Sequence, residues 1–122
     1  MTGIVRKNLD SPEETRSFKD GKGKLDLVNL DAAPVGRAIL QPGWKWSEHV
    51  KPLLDPPTDS CQAAHTGYII SGHLHVRMDD GEEVETGPGD FTIIPPGHNA
   101  WVVGDEPCVM LDWQGATNYA KG

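Results

Sequence analysis

Three histidines, each near the end of its own strand-like segment, are the residues whose type and spacing can do chemistry in this chain. His49 closes the run Pro42-Gly43-Trp44-Lys45-Trp46-Ser47-Glu48-His49, which reads as a turn followed by a strand. His65 stands seven residues before Gly72. His98 follows Gly89-Asp90-Phe91-Thr92-Ile93-Ile94-Pro95-Pro96-Gly97, a turn, a short apolar strand and a Pro-Gly corner. Imidazole is the commonest protein ligand for transition metals. A three-histidine set with open positions suits Zn, Fe, Ni, Mn or Cu, and residue types alone do not choose among them.

The elements that must hold these residues are short strands. The 122 residues imply one domain with one core, and 14 glycines and 10 prolines break the chain into segments too short for a helical bundle. From Leu25 the apolar period is two. Strands are expected at Leu25–Leu30, Val35–Gln41, Trp44–Val50, Cys61–Ile70, His73–Met78, Glu82–Thr86, Phe91–Ile94, Ala100–Val103 and Cys108–Trp113. Asp79-Asp80-Gly81 is a hairpin turn. Lys51–Ser60, with three prolines, is a loop. About nine or ten antiparallel strands in so small a domain suit a closed or nearly closed jelly roll. Residues 1–24 read as an N-terminal arm with a short helix opened by Ser11-Pro12-Glu13-Glu14 and anchored by Phe18. Residues 25–114 form the barrel and 115–122 a tail.

Composition removes several classes of function. A formal net charge of −7 with no Lys/Arg cluster gives no electrostatic footprint for nucleic acid or anionic membrane. No apolar run approaches a membrane span, and residues 1–20 lack a signal-peptide core. Cys61 and Cys108 read as reduced thiols, which places the chain in the cytoplasm.

The motifs resemble those of the cupins. The first cupin motif runs Gly, five residues, His-x-His, a gap, Glu, six residues, Gly. Gly43 and His49 keep its opening, Lys51 stands at the second histidine, and His65 stands at the glutamate, with six residues between it and Gly72. The second motif runs Gly, five residues, Pro-x-Gly, two residues, His. Gly89, Pro95 and Gly97 match it; the histidine position falls on Ala100, and His98 lies two residues earlier, about 7 Å away along a strand. The resemblance covers roughly residues 35–113. It implies a double-stranded β-helix (a jelly-roll barrel) with His49, His65 and His98 at its mouth and a small-molecule pocket that Lys51 and Cys61 help to line. A second register, which ignores the insertion at about Pro52 to Ser60, puts Asp59 and Cys61 at the His-x-His positions; the first is preferred because Gly43 and His49 keep their spacing, and because Cys61, though on the strand face of His65, would lie about 13 Å from it on an extended strand, too far to share one ion. His73-Leu74-His75 has the His-x-His spacing, yet Leu74, Val76 and Met78 form that strand's apolar set, so both histidines face out. Trp44 and Trp46 fall on the face opposite His49 and need a cover, either the arm or a second subunit; cupins commonly pair in this way, so a homodimer is expected.

Three functions fit these readings. The first is a small metal-dependent enzyme of undefined reaction. The second is a non-catalytic module that binds or senses a small ligand. The third is a metal-free structural barrel.

Overall fold

The computed structural model describes residues 3–31 and 33–114. Nine strands are present among them: β1 (Glu14–Ser17), β2 (Gly23–Leu30), β3 (Ala33–Leu40), β4 (His65–Ser71), β5 (His73–Met78), β6 (Glu83–Thr86), β7 (Phe91–Ile94), β8 (His98–Val103) and β9 (Cys108–Asp112). One short helix, α1 (Trp46–His49), lies between β3 and β4. The strands form a six-stranded sheet in the order β1-β2-β3-β9-β4-β7 and a three-stranded sheet in the order β6-β5-β8. All neighbours are antiparallel, as the expected jelly roll requires. The core fills the space between the sheets, and Trp46, Val50, Ile69 and Cys108 are almost wholly buried there. The period-two reading holds best on β5, where Leu74 and Val76 are buried while His73 and Arg77 are exposed.

Two expected elements are different. The segment after Ser11 is a strand, not a helix: Glu14–Ser17 pair with Lys24–Leu27 of β2. Fewer than three helical turns fit before the break at Asp20-Gly21, too few for a stable isolated helix. Pairing with β2 satisfies the same backbone groups and lets Phe18 bury against Trp44, ring centroids 6.2 Å apart. The arm is thus an edge of the large sheet.

The second difference is α1. Trp44–Val50 was expected as a strand, but Val50 N–H donates to the Trp46 carbonyl and His49 N–H to that of Lys45. Trp46, His49 and Val50 recur at i, i+3 and i+4, and all three are buried on one side. Trp44 and Trp46 therefore belong to the core, at 3% and 1% exposure, and are covered within their own chain. The expected tail lies outside the described residues.

Gly72 joins β4 to β5 with φ 76°, and a Cβ there would come 2.3 Å from the Pro107 carbonyl oxygen, so only glycine permits this crossing between sheets.

Candidate metal centre

Cys61, His65 and His98 converge inside the barrel. One ligand atom from each lies within 4.8 Å of the other two, and all three residues are buried. Among the described residues this is the one group of at least three His, Cys, Asp or Glu side chains so arranged. His65 opens β4 in the large sheet and His98 opens β8 in the small one. Their rings meet edge to face, 5.2 Å between centroids.

Cys61 is brought in by backbone pairing. Its N–H donates to the His98 carbonyl at 2.7 Å, and its carbonyl accepts from Gly97 N–H at 2.7 Å. Gly97 has φ 94°, and a Cβ on it would lie 2.9 Å from Asp79 Oδ2, so the corner before His98 calls for glycine. The same Asp79 oxygen accepts from Ser60 Oγ at 2.8 Å, which fixes the residue before Cys61. Residues 62–64 are not strand. The chain bends there, and Cys61 Sγ comes to 3.8 Å from His65 Nε2. The expected separation of about 13 Å assumed an extended strand through this segment and is corrected by that bend.

Each histidine is oriented by its other nitrogen. His65 Nδ1 bonds the buried Asp112 carboxylate at the end of β9. His98 Nδ1 lies 2.8 Å from the Pro95 carbonyl oxygen, which can only accept. Nδ1–H is thereby spent on oxygen in both rings. Metal-binding histidines are usually oriented in this way, with the remaining ring nitrogen as the donor to the ion. Burial alone pushes the Cys61 thiol up, but hydrogen bonds and charge from His65 and His98 outweigh it and bring it down to about 6. Burial likewise opposes charge on His65, and Asp112 first and Cys61 second overcome it, raising His65 to about 9. Cys108, buried with no such partners, is pushed up to about 11, chiefly by burial. The chain thus holds one activated thiol and one inert one.

Of the other expected site residues, His49 is not in the group. It ends α1, and its Nδ1 lies 3.0 Å from the Lys45 backbone nitrogen, whose N–H donates to it. Lys51 lies in a 3-10 turn after α1, its Nζ 3.8 Å from Asp59 Oδ1, and does not line the interior cavity. That cavity, about 50 Å³, adjoins the centre and is walled by His65, His98, Asp112 and apolar side chains including Leu40, Trp46 and Met110. His73 and His75 lie on the outer face of β5; His75 stacks on Trp101 and bonds Glu83 at 2.8 Å.

A family profile described as "Cupin domain" matches residues 55–114, a span that includes Cys61, His65, His98 and Asp112. The chain belongs to the cupin superfamily. No curated protein sequence matches it. Among solved structures, this cupin is similar to a sugar phosphate isomerase from a cupin superfamily of Silicibacter pomeroyi, with 20% identity, 93% of this chain and 76% of that one covered, and a TM-score of 0.62. It is also similar to an RmlC-like cupin from Shewanella frigidimarina, at 13% identity, 95% and 96% coverage and a TM-score of 0.60. A polyketide cyclase from Streptomyces resistomycificus aligns at 16% identity, 92% and 79% coverage and a TM-score of 0.61. At these identities the likeness concerns the fold.

Of this cupin's centre, Asp112 escapes the motif spacings, and Cys61 answers to them only in the second register. Asp112 carries no signal, because its partner is 47 residues away and meets it only through sheet order. Cys61 had one in the second register, which was set aside on the assumption of an extended strand through residues 62–64 that the structure does not have.

Proposed function

We propose that this cupin binds one divalent transition metal through Cys61 Sγ, His65 Nε2 and His98 Nε2, beside a cavity that admits a small molecule. The observation that carries the proposal is the pair of Nδ1 contacts, Asp112 for His65 and Pro95 for His98, which leave both Nε2 atoms to serve the shared group. Spacing agrees. Sulfur and nitrogen ligands at ordinary zinc distances on a tetrahedron lie about 3.6 Å apart, close to the 3.8 Å between Cys61 Sγ and His65 Nε2. A thiolate with two imidazoles favours Zn, then Cu, over the harder Mn. An ion with three protein donors keeps an open position, from which it polarises a carbonyl or acidifies a water. Around it, Asp112 holds the His65 ring and the apolar walls exclude bulk water. The cavity limits a bound molecule to a few non-hydrogen atoms. No described helix is long and apolar enough to cross a membrane. Both cysteines are free, in keeping with a reducing cytoplasm, and the acidic chain favours neither nucleic acid nor anionic lipid as a partner.

A second reading rests on the same residues without metal. Cys61, His65 and Asp112 form a nucleophile, base and orienting carboxylate in sequence, with the thiol already lowered to about 6. Elemental analysis separates the two. About one metal per chain, kept in His49→Ala and His73→Ala and lost in Cys61→Ser, His65→Ala and His98→Ala, supports the metal centre. No uptake after Zn is added, with rapid alkylation of Cys61 at neutral pH, supports the thiol.

A further inference from the structure

A buried donor without an acceptor belongs to the wall of the cavity that adjoins the metal centre. Three buried side-chain nitrogen or oxygen atoms have no hydrogen-bond partner among the described residues: Arg37 Nε, Trp44 Nε1 and Thr92 Oγ1. Of these three residues only Trp44 lines that cavity. An indole N–H donates and cannot accept, and leaving it buried and unpaired costs the desolvation of the group. Such a donor in a cavity wall calls for an acceptor inside the cavity.

Trp44 has little freedom to find that acceptor elsewhere. Its backbone N–H donates to the Gln41 carbonyl at 2.9 Å, and its carbonyl accepts from Val102 N–H at 3.0 Å, which pins it between the turn after β3 and strand β8. Phe18 packs against its ring, and the residue is buried. Other polar groups of the wall are already engaged. Asp112 accepts from Gln114 N–H at 2.9 Å and bonds His65 Nδ1, and His98 Nδ1 is held by the Pro95 carbonyl. Leu25, Leu40, Leu74, Ile94 and Met110 make much of the remaining lining apolar, and no Lys or Arg belongs to it.

On the reading of Cys61, His65 and His98 as a metal site, we infer that Trp44 Nε1–H is the recognition donor of this cavity and that its ligand is a short aliphatic carboxylate. The ion offers an open position to an oxygen donor, and Trp44 offers a hydrogen bond to an oxygen acceptor. Size requires both oxygens in one compact group. An engineered apolar cavity of about 150 Å³ admits benzene, whereas this one measures about 50 Å³. Room remains for about two to four non-hydrogen atoms. A carboxylate supplies two anionic acceptors within that size, and its carbon chain meets the apolar walls. Sugars and phosphate esters are disfavoured, because their further oxygens would enter an apolar lining. Trp44 is thus a specificity-determining residue: the ion alone accepts any oxygen ligand, and the indole N–H favours one with a second acceptor.

Acetate is the probe, added to the zinc-loaded full chain and followed by proton–nitrogen correlation spectra of the four indole N–H groups. With the signals assigned through the backbone, that of Trp44 is expected to move downfield and saturate. The signal of Trp101, stacked on His75 at the outer face of the small sheet, should stay in place. Trp44→Phe removes the donor and keeps a ring. It should weaken acetate about 10- to 100-fold and leave zinc affinity within a few-fold of wild type. The wild-type spectrum decides the question even if this variant does not fold. Zinc-loaded protein that acetate at about 50 mM does not perturb overturns the inference. So does acetate binding that leaves the Trp44 signal unmoved, or that is equally tight in Trp44→Phe; the metal site survives each of these results. A wild-type chain that takes up no zinc overturns the metal site itself, and the role of Trp44 with it.

Discussion

Cys61→Ser is the most discriminating perturbation, because the proposed centre gives this cysteine the place that motif spacing gives to His49. Its expected cost follows from the ligand set. A structural zinc site with four protein donors contributes about 10–16 kcal/mol at neutral pH, or roughly 2.5–4 kcal/mol per donor. Removal of one donor from three should therefore weaken binding on the order of 10²- to 10³-fold. Serine barely changes the volume of the buried site, and its hydroxyl is a poor ligand at neutral pH. The loss is thus in affinity more than in packing. Competition with a chromophoric zinc chelator gives the constants for wild type, Cys61→Ser and His49→Ala side by side. His49→Ala should stay within a few-fold of wild type, since His49 lies outside the group of Cys61, His65 and His98. If His49→Ala loses the metal and Cys61→Ser keeps it, the assignment is refuted, and the barrel must rearrange to bring α1 to the ion.

The remaining predictions follow from the same contacts. Asp112→Asn takes the charge from the group that holds His65 Nδ1, and should cost 10- to 100-fold in zinc affinity by the same titration. In metal-free protein, the raised His65 contributes stability below its ordinary value that is lost as pH rises through about 9. The lowered Cys61 contributes stability above its ordinary value that is lost as pH falls through about 6. Urea unfolding across pH should therefore show a wild-type advantage over Cys61→Ser that peaks between about 6 and 9; a flat difference would count against the thiolate–imidazolium pair. Zinc at 100 times its dissociation constant should add about 2.7 kcal/mol, a rise of roughly 10 °C in Tm, absent in His65→Ala. Trp46→Ala should destabilise the fold by about 3–5 kcal/mol in denaturant titrations, as befits a core residue at 1% exposure.

The fold was legible wherever a rule of local pattern met no competitor. Alternation on His73–Met78 placed Leu74 and Val76 inward and His73 outward, and Asp79-Asp80-Gly81 made its turn. The reading failed where one segment satisfied two periods. Trp44 and Trp46 alternate like a strand, while Trp46, His49 and Val50 recur like a helix turn, and burial of the large Trp46 and Val50 side chains favoured the second. The site was legible in part for a related reason. His65 and His98 are marked by family spacing, but their partners are long-range: Cys61 arrives through a backbone bridge to His98, and Asp112 through the β4–β9 pairing. Neither register is written in local sequence, because both depend on the order in which the strands assemble.

That assembly gives the centre a mechanical consequence. His65 and Asp112 belong to the large sheet, while His98 belongs to the small one with Cys61 bridged to its first residue. An ion held by Cys61, His65 and His98 therefore links the two sheets at one end of the core. Among the described residues the two sheets share no ladder of backbone hydrogen bonds, so side-chain packing and the short chain connections, β7 to β8 and Cys61 to His65, otherwise join them there. Metal removal should loosen this end first. Hydrogen exchange should show faster exchange at Cys61 and His98, whose N–H groups make the bridge, while Leu25 and Leu27 within the β2–β3 ladder keep their protection. Equal acceleration at both ends would mean that the ion stabilises the barrel only as a whole, and that the two sheets are already fixed to each other without it.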